Sequence, residues 1–129
     1  GYNYTGGKNY NLSALDNSDF FGSSVSLDGN RLAVGSPLDD GIGASGALNY
    51  GAAYLFTFGD STFTAPTLTS TFGLGYTGGT NSNISTLFDN DNFGMSIGLD
   101  GTVLAIGSPG DDGLSINTAT GTSPGAIFL

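Results

Sequence analysis

The chain has 129 residues, enough for one modest domain with a usable core. Its formal charge is −9, from eleven acidic residues (every one Asp) against Lys8 and Arg31, with no His. That balance excludes nucleic acid and anionic membranes, whose binding needs clustered Lys and Arg to displace counterions, and the absence of Cys excludes a disulfide framework and thiolate chemistry.

In chain order, Gly and Asn/Asp clusters interrupt every segment, and no stretch carries a 3.6-residue apolar period, so the expectation is an all-β chain. Gly1–Lys8 reads as a loop, and Asn9–Leu15 is a weak strand candidate. Phe21, Ser23, Val25 and Leu27 alternate with Gly22, Ser24 and Ser26, which puts the larger side chains on one face of a strand. Asp28-Gly29 then forms a hairpin turn into a second strand, Arg31–Gly35. Ser36-Pro37 stops the ladder, because Pro has no N–H to donate. An acidic loop follows, then a third strand at Ala52–Phe58. Phe63–Phe72 and Asn81–Leu87 compete for the fourth.

The same series then returns. Between Tyr4/Tyr76 and Gly41/Gly113, 23 of 38 aligned positions are identical at an offset of 72 and without a gap. Phe93, Met95, Ile97 and Leu99 repeat the first strand, Asp100-Gly101 the turn, Thr102–Gly107 the second strand, and Ser108-Pro109 the stop. Gly125-Ala-Ile-Phe-Leu129 matches Gly51-Ala-Ala-Tyr-Leu55 only at an offset of 74, so the intervening loop has gained two residues. The chain is a tandem array, divided as 1–72 and 73–129. Such units cannot bury their apolar faces alone and must stack on neighbours.

The order Phe-Gly, strand, turn, Leu-Ala-Val-Gly-Ser-Pro, acidic loop, Gly-Ala-x-Tyr resembles the FG-GAP repeat of integrin α-subunit propellers and many bacterial surface proteins. Phe21-Gly22 with Gly35-Ser36-Pro37, and Phe93-Gly94 with Gly107-Ser108-Pro109, carry the resemblance, with Ser in place of the usual Ala. Tyr54–Phe58 and Gly75–Gly79 are similar to the bacterial variant found in filamentous-haemagglutinin-like exoproteins and adhesins. The resemblance implies about two tandem four-stranded antiparallel blades of a β-propeller, the second truncated after its third strand. Two blades do not close a ring. The expectation is therefore a processed or excised piece of a longer array, completed by further repeats or by other copies, with an open stack of blades in a fibre as the alternative.

Candidate chemistry is sparse. Integrin-type blades hold Ca²⁺ in an Asp-x-Asp-x-Asp-Gly loop, but here only Asp28-Gly29 and Asp100-Gly101 stand at that place, and one carboxylate cannot wrap a cation. Asp16, Asp19, Asp89 and Asp91, with Asp39, Asp40, Asp111 and Asp112, are weak Ca²⁺ candidates against a simpler role as turn acceptors. Tyr4, Tyr50 and Tyr76, with Tyr2 and Tyr10, are glycan-stacking candidates against packing between blades. Asn3, Asn11 and Asn83 sit in Asn-x-Ser/Thr triplets. With no His, Cys or Glu, and with Asp repeated by architecture, an enzyme is not expected. The reading is a secreted, extracellular structural or adhesive segment of a bacterial surface protein. Its expected partners are copies of itself, further repeats, and host glycans or surface proteins, with no membrane insertion. A carbohydrate- or Ca²⁺-binding lectin-like module is the alternative.

Overall fold

The structure, a computed structural model of the chain, describes residues 1–43, 46, 48–113 and 123–129. Among them there is no helix, and eight strands form two sheets. The first sheet runs β1 (Ser24–Asp28), β2 (Arg31–Ser36), β3 (Ala52–Thr57) and β4 (Thr67–Gly73) as an antiparallel meander. Its edge is closed by a short parallel strand, β5 (Ser82–Asn83). The second sheet holds β6 (Ser96–Asp100), β7 (Val103–Ser108) and β8 (Ala126–Phe128), all antiparallel. Neither sheet closes on itself, as expected of separate propeller blades rather than a barrel.

The tandem repeat is also a repeat of backbone conformation. Ser18 and Asn90, Phe20 and Asn92, Gly22 and Gly94, and Gly29 and Gly101 all take positive φ in pairs. Register confirms the change of offset. Ser36 faces Ala52 and Gly35 faces Ala53, while Ser108 faces Ala126 and Gly107 faces Ile127. Two corrections to the sequence reading follow. The first strand starts at Ser24, not Phe21, because Phe20 and Gly22 turn the chain through positive φ before the ladder begins. Both candidates for the fourth strand contribute, Thr67–Gly73 in full and Asn81–Leu87 only through Ser82–Asn83.

Period-2 alternation along β3 divides the core. Ala52, Tyr54 and Phe56 point into one cluster with Leu12, Leu15, Val34 and Tyr76. Ala53 points the other way, into a second cluster with Leu87, Phe93 and Ile106. The first cluster is capped by the 9–21 segment, and the second lies between the two sheets. In both, edge-to-face rings (Phe21 on Tyr54, Phe93 on Phe128) add to the burial term.

Candidate functional site

The contact between the two sheets is the most elaborated surface of the molecule. Its centre is a place where backbone meets backbone. Gly51 and Phe93 form a parallel bridge, and Phe93 N–H donates to the Tyr50 carbonyl at 3.0 Å. Asn90 N–H donates to the Leu48 carbonyl at 2.8 Å. A Cβ on Gly35 would fall inside van der Waals contact of the Gly94 carbonyl, and one on Gly51 would strike the Phe93 backbone. These approaches are what Gly is needed for here. Around the centre, small side chains of β1 reach across. Ser24 Oγ donates to the Gly94 carbonyl at 2.7 Å, and Ser26 Oγ accepts from Leu99 N–H at 2.9 Å. At the far end Asp28 accepts from Gly101 N–H and from Arg31, whose guanidinium also donates to the Gly101 carbonyl.

The acidic residues gather at the opposite end of each sheet. The charges of Asp39, Asp16 and Asp40 help to raise Asp19, and those of Asp111, Asp112 and Asp89 help to raise Asp91. The carboxylates of Asp19, Asp39, Asp40, Asp91 and Asp111 accept from backbone N–H groups. Asp19 accepts from Asp16 N–H and Asp91 from Phe88 N–H, each at 2.7 Å. Asp40 Oδ1 accepts from Leu48 and Asn49, tying down the acidic loop. Burial pushes the Asp19 carboxyl up to about 6, and it raises Asp39 and Asp91 as well. Among the described residues, no three acidic side chains come together as a metal ligand set. The turn that holds Ca²⁺ in integrin-type blades does not fit a cation here, since Asp28 is engaged by Arg31 and a backbone N–H.

Asp39 is the most heavily bonded of these groups. The Tyr54 hydroxyl donates to Oδ2 at 2.5 Å, and the Tyr76 hydroxyl lies 3.0 Å from both carboxylate oxygens. Gly41 N–H donates to Oδ1 at 2.8 Å. Burial drives both phenol pKa values well above the ordinary range, and the nearby Asp39 charge adds to the shift, so the hydroxyls stay protonated as donors. Tyr76 enters from the second repeat and closes a corner of the first. Of the two roles open to Tyr76, packing between blades is the one its burial supports. Tyr10 and Tyr50 are half-buried, and only Tyr2 and Tyr4 are exposed.

Sequence reasoning also missed Ser36 and Ser108. Each donates its hydroxyl at 2.9 Å to a backbone carbonyl, Asp19 and Asp91 respectively, and so pins the loop before Phe21 or Phe93 to the end of the neighbouring strand. The one local signal is Ser in the place of the usual Ala, and it does not say which carbonyl the hydroxyl meets.

The family model for the FG-GAP repeat matches the chain twice, over residues 12–56 and 88–129. The chain belongs to the FG-GAP repeat family. No curated protein and no solved structure matches it. Members of the family are generally non-enzymatic structural or binding modules that occur typically in extracellular proteins. In FG-GAP terms, the Phe93-Gly94 of the second repeat is seated on the Gly35-Ser36-Pro37 end of the first.

Equivalent positions in the two FG-GAP repeats differ sharply in exposure. Ala53, inside the seam, is 0 % exposed, whereas its counterpart Ile127 is 75 % exposed. Leu99, on the face that docks, is 8 % exposed and its counterpart Leu27 is 54 %. Tyr76 is 5 % exposed and Tyr4 is 63 %. The first repeat thus offers an open copy of the face that the second repeat has buried, and the second offers an open copy of the face that the first has buried.

Proposed function

We propose that this FG-GAP segment is a non-enzymatic structural module of an extracellular bacterial surface or filament-forming protein, and that its work is assembly through blade-to-blade contacts. The observation that carries this reading is the unlike pair of open apolar faces. Val25 and Leu27 are exposed on one, Met95 and Ile127 on the other, and both faces repeat the two halves of the internal seam. Contiguous exposed apolar surface of this kind marks interaction sites. Because the two faces differ, contacts between them are head to tail, which builds rings or open stacks according to the rotation between units. No helix among the described residues is long and apolar enough to cross a membrane. Sedimentation velocity should show mass growing with concentration through reversible association. A chain that sediments as a monomer at every concentration overturns this reading.

The exposed rings of Tyr2 and Tyr4, set beside Asn3 and Asn9, favour glycan binding as a second reading. Aromatic faces stack on sugar rings and the amides supply hydrogen bonds. A glycan panel should then give hits that Tyr4→Ala removes and Tyr4→Phe retains. An empty panel rules this reading out.

A further inference from the structure

Every contact of the seam joins a residue of the first repeat to one of the second. Advancing both partners by one repeat turns those made by β1, β2, Asp39 and Gly51 into contacts between two chains, while β4 has no counterpart among residues 73–129. Tyr76 opens the second repeat, yet its hydroxyl sits on Asp39 of the first. Its counterpart is the exposed Tyr4, and the counterpart of Asp39 is the buried Asp111. Where Asp39 accepts from two phenols, Asp111 has Phe128 in the place of Tyr54. Among the described residues its carboxylate accepts from Gly113 N–H alone, at 2.7 Å.

We propose that the chain binds a second copy of itself head to tail, the Tyr4 hydroxyl of one copy donating to the Asp111 carboxylate of the other. Phe21-Gly22 of the first copy then occupies the groove beside β7 and β8 of the second. This rests on the assembly reading above, and fixes its partner and its register. The groove has a volume of about 440 Å³ and is lined by Met95, Ser96, Gly107, Pro109, Gly125 and Ile127. Ser96, Gly107 and Gly125 are the counterparts of Ser24, Gly35 and Gly51, the three residues on which Phe93-Gly94 rests within the chain.

Side-chain size supports the fit. Ile127 replaces Ala53 in the seat, and the incoming Val34 is smaller than Ile106, its counterpart in the internal seam. Several internal bonds have no equivalent between copies: Gly98 stands where Ser26 does, Val103 stands where Arg31 does, and the bonds of Thr69 and Thr71 in β4 to Thr80 and Asn81 have no counterpart. The junction between copies is therefore weaker than the internal one, and it also lacks the high effective concentration that a covalent link provides. Reversible, concentration-dependent association follows.

Sedimentation velocity on the whole chain and three variants tests the register. Tyr4→Phe removes a hydrogen bond to a charged, buried acceptor and should weaken association by about tenfold or more. Tyr2→Phe removes a hydroxyl with no counterpart in the seam, where Leu74 stands at the equivalent place and is held through its carbonyl, and should leave association unchanged. Gly107→Ala should abolish association, because its methyl stands where the Gly22 carbonyl must approach. Within the chain that methyl meets only Ser96, chiefly its hydroxyl, so the melting curve should remain cooperative. If the parent associates but Tyr4→Phe changes its affinity by less than about twofold, or Gly107→Ala still associates, the proposed contact is overturned and assembly runs through another surface. If the parent does not associate at all, the assembly reading itself fails.

Discussion

At the scale of single residues, the two repeats supply each other's control. Gly35 and Gly107 occupy the same strand position, and a Cβ at either would crowd the hydroxyl of Ser24 or Ser96. They differ in one respect. The backbone carbonyl of Gly94 lies where a Gly35 methyl would stand, whereas no backbone beyond that of Ser96 lies where a Gly107 methyl would stand. A serine hydroxyl can turn away, but a carbonyl held in the seam cannot. Gly35→Ala should therefore cost about 3 kcal/mol, the upper part of the range for forcing a methylene into a packed site. Gly107→Ala should be nearly neutral for the monomer, or slightly stabilising through the lost entropy of a strand Gly. Urea denaturation of both variants decides the matter. Equal losses would show that Gly at this position serves the strand itself rather than the approach of the next repeat. Neither outcome could have been foreseen from the sequence, which has the same Leu-Ala-x-Gly-Ser-Pro in both places.

At the scale of elements, the sequence exposed whatever depended on alternation and turn chemistry. The hairpins closed by Asp28-Gly29 and Asp100-Gly101 stand where the Asp-Gly signal put them. The third strand stands at Ala52, and the offset of 74 is written in the pairing of β8 with β7. What remained hidden depended on partners distant in the chain. The ladder begins at Ser24 because Ser23 N–H turns back onto the Phe20 carbonyl, while Gly22 N–H reaches across to the Gly35 carbonyl of β2, a bond invisible to any local pattern. β5 is two residues long because Ser82 and Asn83 meet β4 only where the chain crosses from one repeat to the next. The partner of Tyr76 was hidden in the sequence, because its hydroxyl bonds an Asp 37 residues earlier. The acidic clusters were legible as clusters, but their joining of Asp19 to Asp39 and of Asp91 to Asp111 needed the fold to bring two loops to one end of a sheet.

At the scale of the whole molecule, charge and burial act together on stability. A net charge of −9 is already unfavourable for a compact chain. Within it Asp19, Asp39 and Asp91 are buried at two corners, and desolvation raises the pKa of each, Asp19 to about 6 from an ordinary 3.8. For these three the native state holds protons that the unfolded chain has released. Stability from this source is therefore fullest below about pH 4 and is lost as pH rises through the native pKa values. Asp60 does not interfere. Hydrogen bonds from Thr62 and Thr64 hold it down at about 2, so it stays ionised across the window that matters. The Gly1 amine is lowered by burial from its ordinary 8.0, so the comparison is best made below neutral pH. The expectation is an inversion of common acid sensitivity: the chain should be more stable at pH 5 than at pH 7, by on the order of 1 kcal/mol, or a few degrees in Tm. Calorimetry in dilute solution, where association is minimal, measures this directly. Asp19→Asn keeps an oxygen for the Asp16 N–H and removes the titration, so it should raise Tm at pH 7 and flatten the profile. A parent whose Tm rises from pH 5 to pH 7 would show that the corner carboxylates are stabilised as anions, and that a cation or a donor from a neighbouring copy compensates them.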